Sequence, residues 1–117
     1  PLINVDIDGN SQFDALTDGL ILLRLMFGLT GQSLTNGVTA PDANFVYSGD
    51  LIQRFNSTDL LFDIDNDKSI DALTDGLLIL RYLFGIRGES LSSEALSPNA
   101  ERTAISDLEE YLQSLIN

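Results

Sequence analysis

The stretch "FDIDNDKSIDALTDGLLILRYLFG", Phe62 to Gly85, places five aspartates within thirteen residues and then turns apolar. Uncompensated, Asp63, Asp65, Asp67, Asp71 and Asp75 repel one another and oppose compaction, so a positive partner is expected. The same pattern stands 57 residues earlier. "VDIDGNSQFDALTDGLILLRLMFGLTGQSL" (Val5 to Leu34) lies over "FDIDNDKSIDALTDGLLILRYLFGIRGESL" (Phe62 to Leu91), with seventeen of thirty positions identical. The offset continues through Pro41 and Pro98, Ala43 and Ala100, Asp50 and Asp107, and Leu51 and Leu108. The chain therefore reads as one domain over 1–117, a tandem duplication of repeat 1 (1–57) and repeat 2 (58–117).

Each repeat reads as loop, helix, loop, helix, and the expected fold class is all-α. The first helix begins at "DALTDG", with Asp14 or Asp71 as N-cap. Leu16, Leu20, Leu23 and Phe27, and likewise Leu73, Leu77, Leu80 and Phe84, recur at helical spacing as its apolar positions. Gly28 and Gly85 stop it. The second helix is expected over 48–57 and 105–116, capped by Ser48 or Ser106. "GQSLTNGVTAPDAN" and "GESLSSEALSPNAE" read as turn-rich connectors. A 57-residue unit buries little core alone, so the two repeats are expected to pack their apolar faces together about a pseudo-twofold axis. Gly19 and Gly76 fit either a close helix approach at that axis or a relaxed loop-to-helix junction.

Numbered from its first aspartate, each acidic loop carries oxygen-bearing side chains on alternate residues: Asp6, Asp8, Asn10, Gln12 and Asp14, then Asp63, Asp65, Asp67, Ser69 and Asp71. Side-chain oxygens at positions 1, 3 and 5, a main-chain carbonyl at 7 and a further oxygen at 9 are the ligand order of an EF-hand loop. A hard divalent cation with six to eight oxygen ligands, Ca²⁺ ahead of Mg²⁺, is the expected partner at each of two sites. The EF-hand closing residue falls at position 12, here Thr17 or Thr74, whereas an aspartate follows at 13. Asp18 and Asp75 are therefore the expected closing ligands. Asp14 and Asp71, four residues earlier, ligate directly, act through water, or only cap the helix. Ser11 and Lys68 occupy position 6, where glycine serves a tight turn most cheaply.

Composition narrows the rest. A net charge of −12, from 18 acidic and 6 basic residues, leaves no basic patch for nucleic acid or anionic membrane. The absence of cysteine and histidine removes disulfides, thiolate chemistry and histidine general bases. The apolar runs over 19–29 and 76–86 are too short to cross a bilayer, so no membrane insertion is expected. A single methionine argues against a Met-rich sensor groove, and no nucleophile constellation or phosphate loop suggests an enzyme. The chain starts at Pro1, as expected of a processed mature chain or an excised fragment.

The two acidic segments resemble the duplicated F-hand repeats of dockerin modules, in which an EF-hand-like loop keeps only its exiting helix. "LLILRYLFG" resembles the recognition helix of type I dockerins, and "ILLRLMFG" does so less closely. The resemblance covers about sixty residues and implies two Ca²⁺ ions, calcium-dependent folding, a bacterial extracellular or cell-surface location and a docking role. It departs at Ala15-Leu16 and Ala72-Leu73, where dockerins carry the Ser-Thr pair that helps select a cohesin. Two readings follow. One is a non-catalytic assembly module that associates with itself as an oligomer or filament, through exposed residues such as Phe45, Val46, Tyr47 and Leu60 to Phe62, whose alternative role is core filling. The other is a dockerin proper that binds a cohesin-like domain, with Arg24, Arg81 and Tyr82 as candidate contacts or as ordinary solvated side chains.

Overall fold

Where Asp18 and Asp75 must point decides how each repeat folds. The computed structural model describes residues 4–116, and among these the regular structure is entirely helical. A π-helical turn, Ala15–Gly19, runs into α1 (Leu20–Met26), followed by α2 (Gly31–Thr35) and α3 (Ser48–Asn56). A second π turn, Ala72–Gly76, runs into α4 (Leu77–Leu83), followed by α5 (Glu89–Ser92) and α6 (Ile105–Ser114).

The π turns resolve the misplaced closing aspartate. Each is closed by a hydrogen bond spanning five residues, Gly19 N to Asp14 O (3.1 Å) and Gly76 N to Asp71 O (3.2 Å). Such a turn holds one residue more than an α turn. The residue that moves the aspartate from position 12 to 13 is thus taken up as the helix starts, and Asp18 and Asp75 still reach back into their loops. Asp14 and Asp71 cap these turns by accepting from Leu16 N (2.9 Å) and Leu73 N (3.1 Å).

Because Asp18 and Asp75 are wholly buried, the positions three, four and seven residues beyond them also face inward. These are Ile21, Leu22 and Leu25 in α1 and Leu78, Ile79 and Tyr82 in α4, all buried. Of the expected apolar stripe only the ends are turned outward, while Leu20 and Leu77 pack against the core and Leu23 and Leu80 over the other repeat's glycine. Leu16 (58%), Phe27 (54%), Leu73 (59%) and Phe84 (56%) are more than half exposed, and Leu20, Leu23, Leu77 and Leu80 are partly so. The inward demand of one carboxylate per helix sets this rotation. The core is a single cluster drawn from both repeats, with Val5, Ile7, Leu34 and Leu51 beside Phe62, Ile64, Leu91 and Leu108.

Gly28 (φ +82°) and Gly85 (φ +91°) end the first helices in the left-handed conformation. Leu29 N then returns to Arg24 O and Ile86 N to Arg81 O, at 3.0 Å each. The connectors, expected as turns, contain the short helices α2 and α5, because Leu34 and Leu91 each drive an apolar plug into the core at zero exposure. Neither α3 nor α6 has a side-chain cap. The Ser48 hydroxyl accepts instead from Gly31 N (2.8 Å), tying α3 to α2, and α6 begins before Ser106, at Ile105.

Two reciprocal contacts join the repeats. A Cβ added at Gly19 would lie 2.9 Å from Leu80 Cδ1, and one at Gly76 would lie 2.7 Å from Leu23 Cδ1. Each glycine thus marks a close approach to the other repeat's first helix. Since the start of one helix meets the later turns of the other, the two run antiparallel.

Candidate metal centres

In each loop the first aspartate organises the turn. Asp6 accepts from Asn10 N (3.1 Å) and Ser11 N (2.8 Å), and Asp63 accepts from Asp67 N (3.2 Å) and Lys68 N (2.9 Å). Position 5 repeats the device on a smaller scale, with Gln12 N donating to Asn10 Oδ1 and Ser69 N to Asp67 Oδ1, both at 3.0 Å. Main-chain amides curl around these side-chain oxygens and fix where each one stands in its loop. Ser11 (φ +66°) and Lys68 (φ +71°) adopt the left-handed conformation that position 6 requires.

The closing aspartates complete the ring. Asp18 accepts from Asp8 N (3.3 Å) and Asp14 N (3.1 Å); Asp75 accepts from Ile64 N (2.7 Å) and Asp71 N (2.9 Å). Carboxylate oxygens of Asp6, Asp8 and Asp18 lie within 4.8 Å of one another, as do those of Asp63, Asp65, Asp67 and Asp75. These are the two places in the described residues where acidic groups could hold a metal ion. Asn10 stands where Asp67 stands in the second loop, so repeat 1 offers three carboxylates and an amide against four carboxylates in repeat 2. Asp14 and Asp71 lie outside both rings and are exposed, their carboxylates engaged as helix caps.

Electrostatics make the centres conspicuous. Asp8, Asp18, Asp63, Asp65 and Asp75 are buried, yet the ion pair found among the described residues is Lys68–Glu101 (3.7 Å), at the surface. Both carboxylate oxygens of Asp8 and the Oδ1 of Asp65 are buried without any hydrogen-bond partner. An orphaned buried carboxylate is among the most costly features a fold can carry. Burial pushes the Asp18 carboxyl up to about 8, Asp75 to about 7 and Asp65 to about 6, with neighbouring carboxylates adding to the rise in each. Asp8 is raised for the same first reason.

Sequence reading did not find the support behind each loop. Arg54, from α3, donates to Ile7 O (2.9 Å) and Asp6 O (3.1 Å), with its guanidinium 4.0 Å above the Phe45 ring. Arg102 donates to Ile64 O (2.6 Å) and Asp63 O (3.4 Å), 4.0 Å above Tyr111. Positions 45 and 54 correspond to 102 and 111, so the arginine and the aromatic ring have exchanged places between the repeats. The loop receives a guanidinium at the same carbonyls either way. The only available signal was this reciprocal exchange in the repeat alignment.

The residues considered for partner contacts are differently disposed. Arg24 is held internally, donating to Leu34 O (3.1 Å) and Asn36 O (2.8 Å), and Arg81 to Leu91 O (3.0 Å) and Ser93 O (2.8 Å). Tyr82 is buried, its hydroxyl donating to Gln113 Oε1 (2.6 Å), and so does not present a contact surface. Phe45 is half-buried beneath Arg54, and Leu61 and Phe62 are also drawn inward. Tyr47, at 74% exposure, stands free on the surface, with Val46 and Leu60 also exposed. The chain matches no protein-family model, no curated protein and no solved structure.

Proposed function

We propose that the chain is a non-catalytic calcium-binding module, a duplicated dockerin-like or EF-hand-like fold with pseudo-twofold packing, whose structure two Ca²⁺ ions set for protein–protein association. The observation that carries this reading is Asp8, fully buried with both oxygens unpartnered inside a ring of carboxylates. A hard cation satisfies those oxygens and cancels the repulsion together. Asp6, Asp8, Asn10 and Asp18, with the Gln12 carbonyl, would hold one ion. Asp63, Asp65, Asp67 and Asp75, with the Ser69 carbonyl, would hold the other. A flexible oxygen cage assembled from one chain segment suits Ca²⁺ better than Mg²⁺, which demands near-octahedral geometry and keeps its waters. The reciprocal Gly19–Leu80 and Gly76–Leu23 approaches support the pseudo-twofold arrangement.

The proposed setting is extracellular, of the secreted bacterial type. Left-handed Ser11 and Lys68 weaken each loop, and weak sites fill where calcium is abundant. Binding to the native state alone adds RT ln(1 + [Ca²⁺]/Kd), about 2.7 kcal/mol per site at a hundredfold excess over Kd.

Circular dichroism and thermal melting of metal-stripped protein, with and without added Ca²⁺, test the reading, and calorimetric titration counts the ions. Two ions per chain and a large calcium-dependent rise in Tm are expected, with Asp8→Asn and Asp65→Asn each removing one ion. Equal helicity and heat resistance after exhaustive chelation would overturn it.

A further inference from the structure

Leu16, Phe27, Leu73 and Phe84, at the ends of the outward stripe, are more than half exposed, yet both repeats keep the whole stripe apolar. Its four pairs, Leu16/Leu73, Leu20/Leu77, Leu23/Leu80 and Phe27/Phe84, are identical. The buried pairs of the same helices, Ile21/Leu78, Leu22/Ile79 and Leu25/Tyr82, all differ. Ordinary packing constraint would give the opposite result, with buried positions held and exposed ones free to become polar. Packing within the fold accounts for Leu20 and Leu77, against the core, and for Leu23 and Leu80, over the glycines, and leaves Leu16, Phe27, Leu73 and Phe84 exposed.

The two stripes lie side by side. Leu80 packs over Gly19 and Leu23 over Gly76, so the antiparallel pair brings Leu16 towards the Phe84 end and Leu73 towards the Phe27 end. The result is one apolar face, eight residues without a charge, on a chain of net charge −12. We infer that this face docks a second copy of the chain, giving a closed two-fold dimer in which the first-helix pairs of both copies stack. This rests on the calcium-module reading, because the metal-bound loops hold the two helices in place.

Charge selects the occupant. Two copies of so acidic a chain repel over most of their surfaces, and this uncharged face is where they can meet without opposing carboxylates. A two-fold dimer sets the same patch of each copy against itself, so one apolar face per chain suffices. The four most exposed residues present on the order of 400 Å² of apolar side chain. A dimer would thus bury about 800 Å² from these alone, and the four flanking leucines carry it towards the roughly 1,200 Å² at which specific interfaces begin.

Sedimentation of the full chain over a concentration series in Ca²⁺, alongside calcium titration of the same samples, tests the inference. Wild type is expected to approach twice the 12.8 kDa chain mass. Phe27→Gln/Phe84→Gln is expected to stay at the monomer mass with its calcium affinity unchanged, and Leu16→Gln/Leu73→Gln serves as a second variant should the first fold poorly. A wild-type monomer that binds calcium, including one that captures a different protein on this face, would overturn the inference and leave the calcium reading standing. A dimer or filament that persists unchanged in both variants would also overturn it. A dimer lost in the variants of a chain that binds no calcium would uphold the face and defeat the calcium reading.

Discussion

Asp18 and Asp75 each perform three tasks at one position. Each closes an acidic ring, draws its helix face inward and accepts amides from its own loop. Their raised carboxyls fix a pH dependence for the metal-free protein. An unfolded aspartate titrates near 3.9, whereas burial places Asp18 at about 8, Asp75 at about 7 and Asp65 at about 6. Between those values the native state holds protons that the unfolded chain has released, so stability falls as pH rises through the window. Metal-stripped protein is therefore expected to melt at a higher temperature at pH 5 than at pH 8. Added Ca²⁺ reverses the order, because the ion requires ionised carboxylates. Paired melts at the two pH values, with and without Ca²⁺, check both signs.

Each acidic loop is braced from outside by a guanidinium. In repeat 1 the arginine comes from α3 and the ring from the connector; in repeat 2 the connector supplies Arg102 and α6 supplies Tyr111. Arg54→Tyr removes two charge-assisted hydrogen bonds and a cation–π contact, a loss of about 2 kcal/mol. The double variant Phe45→Arg/Arg54→Tyr installs the repeat 2 arrangement in repeat 1 and is expected to recover most of that loss. Denaturant unfolding of the wild type, the single and the double variant measures it. Failure of the double variant to recover would show that the two latches are not interchangeable.

Over the whole molecule, stability depends on how closely the repeats approach. Gly76 sits with Leu23 Cδ1 at 2.7 Å and Met26 Sδ at 3.2 Å from where a Cβ would stand. A branched side chain there must push the first helices apart, so Gly76→Val is expected to cost about 1–3 kcal/mol by overpacking. Alanine is milder, because the nearest atom is the tip of a flexible leucine and alanine gains about 1 kcal/mol of helix propensity. Chemical denaturation of the two calcium-loaded variants separates these outcomes. One core spans both repeats, so such a change is felt throughout the chain rather than in one half.

Sequence alone determined what depends on neighbours along the chain: the pattern of residues 5–34 recurring over 62–91, the all-helical class, the order of the ring carboxylates and the glycine stops at Gly28 and Gly85. Each follows from spacing within a few residues, or from comparing one repeat with the other. Tertiary structure decided which side of each first helix faces inward, since Leu16, Leu20, Leu23 and Phe27 satisfy helical periodicity as well as Ile21, Leu22 and Leu25 do. It also set Asp14 and Asp71 as helix caps, buried Tyr82, turned Arg24 and Arg81 towards carbonyls and brought Arg54 and Arg102 behind the loops. Periodicity fixes that an apolar face exists but not its angle. That angle is set where a buried carboxylate meets a loop and where two glycines allow helices from distant parts of the chain to touch.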